Sequence, residues 1–124
     1  MTTAYWCVLI AAIIPMLMSM LAKVGGKGFD NHAVRSYLES QTGWRQRANW
    51  AQQNGYEAFP PFAAAVIIAH QAGAAQGTID TLAVVFIIVR LVYGAMYLAN
   101  LATLRSLVWT VGFACVVGLF IAAT

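Results

Sequence analysis

The stretch Arg47-Ala48-Asn49-Trp50-Ala51-Gln52-Gln53-Asn54-Gly55-Tyr56-Glu57-Ala58-Phe59-Pro60-Pro61 runs straight into Phe62-Ala63-Ala64-Ala65-Val66-Ile67-Ile68-Ala69. Its first part is polar and its second belongs in hydrocarbon. Arg47, Asn54 and Glu57 are spaced by seven and three residues, so on an α-helix all three share one face. One helix thus carries a charged and amide-bearing face to a membrane boundary, where such groups are costly unless paired or in use. Pro60 and Pro61 stand at the junction, where a bend is expected.

The surrounding composition agrees. Of 124 residues, 61% are hydrophobic and only 9% are charged, against about 25% charged in soluble domains. The chain therefore reads as an all-α integral membrane protein, one domain over residues 1–124. Its length leaves room for about four spans of ~20 residues with short loops. The apolar runs predict a four-transmembrane-helix bundle with spans at about 4–22, 46–75, 79–104 and 107–123.

Pro15 lies inside the first span, which Lys23 and Gly25-Gly26-Lys27-Gly28 end. Residues 29–43 read as a polar loop, after which Trp44 and Trp50 suit the headgroup level. A turn at Gly73–Gly77 leads to Thr78 as N-cap and Asp80 in the first turn of the third helix. Arg90, Tyr93, Tyr97 and Asn100 then recur at helical spacing and form a second polar stripe. Arg105-Ser106 reads as the last polar turn, and Leu107 to Ala123 is apolar apart from Thr110.

The net charge of +3 is local. Lys23, Lys27, Arg35, Arg45 and Arg47 all lie between the first two apolar runs, against Asp30 and Glu39. That is a topology signal and no nucleic-acid surface. It places the first and third loops in the cytoplasm and both termini outside. Cys7 and Cys115 sit in apolar runs without CxxC context, which suits packing thiols better than a disulfide or metal site. His32 and His70 read as a loop and a structural residue, and no metal site is expected.

Helices two and three are antiparallel across a short turn. Counting from Ala75 and Ile79 sets Glu57 level with Tyr97, Asn54 with Asn100, and Arg47 near Arg105 to Leu107. Arg90 falls deeper and its role stays open. Each residue also has a plain structural reading. Glu57 could be a counter-ion locking helix packing, Asn54 an interhelical hydrogen bonder, Tyr93 and Tyr97 packing aromatics, and Arg47 and Arg105 headgroup contacts. Together they suit a small zwitterion with several carboxylates. Arginine binds carboxylates bidentately, glutamate holds an ammonium, and tyrosine or arginine stabilises a thiolate.

Asn54-x-x-Glu57-x-x-Pro60 preceded by Arg47-Ala48 resembles the second-helix signature of the MAPEG proteins (membrane-associated proteins in eicosanoid and glutathione metabolism). Arg90-x-x-Tyr93-x-x-x-Tyr97 followed by Arg105-Ser106 is similar to that family's third helix and third loop. The resemblance covers nearly the whole chain and suits a bacterial-type member in the inner membrane. It implies a homotrimer in the lipid bilayer, with glutathione as co-substrate between adjacent subunits and a lipophilic small molecule arriving from the membrane.

Carried over by position, Arg47, Asn54 and Glu57 hold the glutathione backbone, and Tyr93 lines the pocket. Arg105 stabilises the thiolate with help from Tyr97, and Lys23 or Lys27 replaces a basic residue after the first helix. The implied activity is glutathione transferase or peroxidase action on hydrophobic electrophiles. Trp50 departs from the pattern, since catalytic members commonly carry an arginine there. The family also has non-enzymatic members that bind lipophilic ligands, so the alternative is a non-catalytic binding, scaffold or accessory protein.

Overall fold

A computed structural model describes all 124 residues, Met1 to Thr124. It contains five helices and no strand: α1 Thr3–Lys23, α2 Val34–Glu39, α3 Gly43–Gln71, α4 Gln76–Leu98 and α5 Ala102–Ala122. The expected count of four is thereby raised by a short helix inside the loop assigned to residues 29–43. Val34, Tyr37 and Leu38 have i, i+3, i+4 spacing and turn one face inward, where Tyr37 and Leu38 are buried with Ala22 and Ala48. The loop is thus partly structural.

Helix α1 opens at Thr2, whose hydroxyl accepts the Tyr5 N–H at 3.1 Å. It closes at Val24, where Arg45 donates through Nε (3.1 Å) and Nη2 (2.8 Å) to the Val24 carbonyl. A cation at a helix C-terminus is favourable there. The opposite end is held by Asp80, whose Oδ1 accepts the Ala4 N–H at 3.0 Å and Gln76 Nε2 at 2.8 Å. Asp80 was expected to favour its own helix; it also caps the first turn of its neighbour.

Both inter-helix turns in the second half start earlier than the sequence suggested. Gly73 has φ +79°, and the Ala74 N–H bonds to the Ala69 carbonyl at 3.0 Å, which is the Schellman pattern that ends a helix. Helix α3 therefore stops at Gln71 and α4 starts at Gln76, ahead of the expected Thr78 cap. Asn100 repeats the device at φ 61°, with Leu101 N–H bonded to the Met96 carbonyl at 2.9 Å. Asparagine tolerates this left-handed conformation better than most residues. The third long helix thus ends at Leu98, not Leu104, and Arg105-Ser106 belongs to α5.

The four long helices alternate in direction. Helix α1 packs most extensively on α3, and α4 on α5. Their shared core is formed by Ala4, Cys7, Ala11 and Ile14 of α1, Phe62, Ala65, Val66 and Ala69 of α3, Ile79, Ala83, Phe86 and Ile87 of α4, and Cys115, Val116 and Leu119 of α5. The Phe62 and Phe86 rings stack at 3.9 Å between centroids. Both cysteines are free and buried. Large apolar side chains such as Leu9, Ile13, Leu17, Ile88, Leu91, Val117 and Phe120 face outward.

Thr3–Lys23, Gln76–Leu98 and Ala102–Ala122 are long and apolar enough to cross a membrane. Helix α3, at 29 residues, reaches about 43 Å, but its first half is too polar to join that set. It continues through Pro60 and Pro61.

Membrane helices gain little from burial against lipid-like neighbours and depend on close packing. At Gly55 helix α3 lies directly against α1: a Cβ added there would stand 2.7 Å from Pro15 Cγ, in a ring that cannot swing aside. Gly55→Val is expected to destabilise the bundle by about 2 kcal/mol, read as a lower thermal midpoint. An unchanged midpoint would mean that α1 and α3 are not in register at Pro15.

Candidate functional site

The end of the bundle opposite the chain termini gathers the polar residues, but in a different register from the one expected. The α3–α4 turn begins four residues earlier in α3 and three earlier in α4 than the counting origin used above, a shift of about two turns. Consequently Tyr97 lies level with Trp50, their ring centroids 6.4 Å apart, and Asn54 and Glu57 share a cavity with Arg90. The apparent depth mismatch of Arg90 disappears.

That cavity, about 140 Å³, lies between α3, α4 and α5. Asn54, Glu57 and Arg90 supply its polar lining, while Phe86, Trp109 and Phe113 supply much of the apolar remainder. Asn54 Oδ1 is buried without a hydrogen-bond partner. Arg90 is 7% exposed and continues the inward stripe of α4 marked by Ile79, Ala83, Phe86 and Ile87. Its guanidinium lies over the Tyr93 ring at 4.3 Å. The chain's one ion pair is His32–Asp30 at 3.1 Å, so Arg90 and Glu57 share a cavity without closing a salt bridge. A buried guanidinium and an orphaned amide oxygen are costly. Arg90 lines the cavity without an ion-pair partner in the chain, while Asn54 Oδ1 is enclosed and unpartnered beside it.

A second, open groove of about 220 Å³ holds Tyr93, Arg105, Ser106, Trp109 and Thr110. Arg105 sits in the first turn of α5, its guanidinium 4.2 Å from the Tyr97 ring centroid. Tyr93 meets Tyr97 edge-on at 5.6 Å. Tyr93 links the two groups, its ring under the Arg90 guanidinium and edge-on to Tyr97. Two arginines against one glutamate leave a local excess of positive charge, which favours an anionic group.

Of the residues singled out from sequence, Asn54 and Glu57 are thus brought together with Arg90, and Tyr93 and Tyr97 with Arg105. Arg47 stands apart from the cavity. Its Nε and Nη2 donate to the Leu98 carbonyl at 3.3 and 3.0 Å, which satisfies a free carbonyl at the end of α4. Trp109 went unnoticed because α5 reads as uniformly apolar. The legible signal was spacing: Arg105, Trp109, Gly112 and Val116 share one helical face. Asn49 was also missed; it is buried and accepts Gln52 Nε2 at 2.8 Å.

A multi-pass helical bundle with polar groups gathered beside α3 and α4 defines the class of membrane protein. A model of the MAPEG family matches residues 3–124, essentially the whole chain, so this protein belongs to the MAPEG family. No significant match was found among curated proteins or among solved structures.

Proposed function

We propose that this chain is one subunit of a homotrimeric, glutathione-dependent transferase or peroxidase acting on hydrophobic electrophiles. The observation that carries the reading is the meeting of Arg105 and Tyr97 at 4.2 Å, with Tyr93 5.6 Å from the same ring, in a MAPEG chain. In this reading residues 1–124 form one domain with α3 as the fourth span. Loops one and three face the cytoplasm of a bacterial inner membrane, as the basic residues of the first loop favour.

The residues present fit glutathione. It brings carboxylates, an ammonium, amide N–H groups and a thiol. Asn54 lines the cavity and offers its side-chain amide to the peptide groups, and Glu57, exposed and free of any ion pair, holds the ammonium. Arg90 takes one carboxylate, and Arg47, outside the cavity and two turns from Asn54 along α3, keeps Nη1 for the carboxylate at the far end of the tripeptide while the rest of its guanidinium secures Leu98. Tyr93 and Tyr97 line the pocket, facing the site of an adjacent subunit.

Arg105 stabilises the thiolate electrostatically and Tyr97 supplies a hydroxyl near it, raising the nucleophile population at neutral pH. Bound glutathione supplies the sulfur that bonds to the electrophilic carbon, as the leaving group departs with its electron pair and the thiol proton passes to water. The membrane-facing surface delivers the lipophilic partner.

One observation favours the alternative, a non-catalytic MAPEG protein that binds a lipophilic ligand or serves as scaffold. Trp50 packs beside Tyr97, filling space where catalytic members commonly carry an arginine. Conjugation of chlorodinitrobenzene by the purified protein separates the two. Turnover above the uncatalysed rate, proportional to protein, supports the enzyme; its absence while glutathione still binds supports the binder.

A further inference from the structure

We propose that the end of α1 and the start of α3 form a seat for an anionic phospholipid of the leaflet beside the first loop. Lys23, Lys27 and Arg45 hold its phosphate, and Val24, Phe29 and Trp44 enter the apolar layer beneath. The inference is independent of glutathione, whose carboxylates are assigned above to Arg90 and Arg47.

One chain of contacts assembles the seat. The Arg45 guanidinium donates through Nε and Nη2 to the Val24 carbonyl, at 3.1 and 2.8 Å, and lies 4.4 Å from the centre of the Trp44 ring. Its Nη1 is left without a partner. Gly25, at φ +67°, passes so close that a Cβ there would stand 3.0 Å from Arg45 Nη2. Gly26 rests on the Tyr37 hydroxyl with no room for a Cβ, and Phe29 meets the Tyr37 ring edge-on at 5.2 Å. Tyr37 is itself buried. The loop is thus held by α3 through Arg45 and by α2 through Tyr37, and Lys23 and Lys27 stand on a fixed support.

The charges of this support are unspent. The chain's one ion pair is His32–Asp30, so Lys23, Lys27 and Arg45 have no carboxylate partner. Asp30 accepts both the backbone N–H and the ring Nδ1 of His32, and Glu39 lies with Arg35 in a separate groove. Beside the three cations, Val24, Phe29 and Trp44 are exposed. Such side chains have nothing to meet in a soluble anion, but they suit the boundary between headgroups and acyl chains. Depth points to the same partner. Helix α1 has 21 residues and is about 31 Å long, against ~30 Å of hydrocarbon. Lys23 and Val24 therefore emerge at the level of the lipid phosphates.

The test uses the full chain in neutral detergent. Thermal midpoints are measured as phosphatidylglycerol, phosphatidylcholine of the same acyl chains, or soluble glycerol phosphate is added. Phosphatidylglycerol is expected to raise the midpoint by several degrees, and the other two to leave it in place. An equal rise with phosphatidylcholine would mean that acyl chains alone act, and an equal rise with glycerol phosphate would mean a free-anion site. No rise with any of them would leave the patch to a protein partner. Each of these three outcomes overturns the proposal.

Variants locate the effect. Lys27 is exposed in the loop, so Lys27→Gln is expected to keep the lipid-free midpoint. It should need about fivefold more phosphatidylglycerol for half the rise, and Lys27→Arg should restore the wild-type value. Arg35→Gln removes the same charge from the other groove and should leave the lipid response unchanged. If it weakens the response as much, only net charge is being read and the seat is wrong. Millimolar glutathione separates the two readings. Should Lys27→Gln abolish a glutathione stabilisation that wild type shows, Lys27 belongs to that site and the lipid seat falls. If wild type responds to phosphatidylglycerol but not to glutathione, the enzyme reading fails and the seat stands.

Discussion

Arg105→Ala is expected to lower kcat/KM for glutathione conjugation by about 10²- to 10³-fold while the protein remains folded. The guanidinium is half-buried at the start of α5 and makes no ion pair, and its contact with the Tyr97 ring at 4.2 Å contributes only about 1 kcal/mol. Little stability is therefore at stake. The rate is another matter, because without the cation a thiol reverts toward its ordinary pKa of about 8.5. Thiolate then becomes scarce at neutral pH and more plentiful as pH rises. The variant's deficit should accordingly narrow between roughly pH 7 and pH 9, and Arg105→Lys should restore part of the neutral rate. Steady-state rates across that pH series decide the matter. A wild-type rate for Arg105→Ala, or a deficit independent of pH, removes Arg105 from the chemistry.

Glu57→Gln is expected to weaken glutathione binding by about 10- to 100-fold, the worth of a hydrogen bond to a charged group. The thermal midpoint without ligand should be unchanged. Both halves of that expectation follow from geometry: Glu57 is exposed, shares a cavity with Arg90, and forms no salt bridge within the chain. If Glu57 were a structural counter-ion, breaking the pair would leave an uncompensated buried charge costing about 3 kcal/mol. The unliganded midpoint would then fall steeply. Thermal melts of wild type and variant, with and without glutathione, read both quantities in one experiment.

Much of the architecture was legible because lipid imposes a simple alphabet. Runs around Ile10, Val85 and Val116 have few readings other than spans, and the polar face of Arg47, Asn54 and Glu57 stands out where apolar residues are cheaper. The register between α3 and α4 was not legible. It depends on which residue of a small, flexible segment adopts the left-handed conformation, and Gly73 rather than Gly77 does so. A turn misplaced by a few residues moves facing partners by twice that amount, since both helices of the hairpin shift. Asn100 shows the same limit: its spacing puts it on the polar stripe, while its backbone ends the helix. Helix α2 was hidden by its polar surroundings, because one apolar turn does not reach the length at which periodicity speaks. Trp109 was hidden for the opposite reason, as one aromatic among many apolar neighbours.

The most direct measurement is the thermal midpoint of the detergent-purified wild-type protein in millimolar glutathione. A ligand bound only to the folded state stabilises it by about 2.7 kcal/mol at a hundredfold excess over Kd. The midpoint should rise by several degrees, and oxidised or methylated thiols should not be needed for the effect. A midpoint that stays flat across that concentration range would contradict a glutathione site beside Asn54, Glu57 and Arg105.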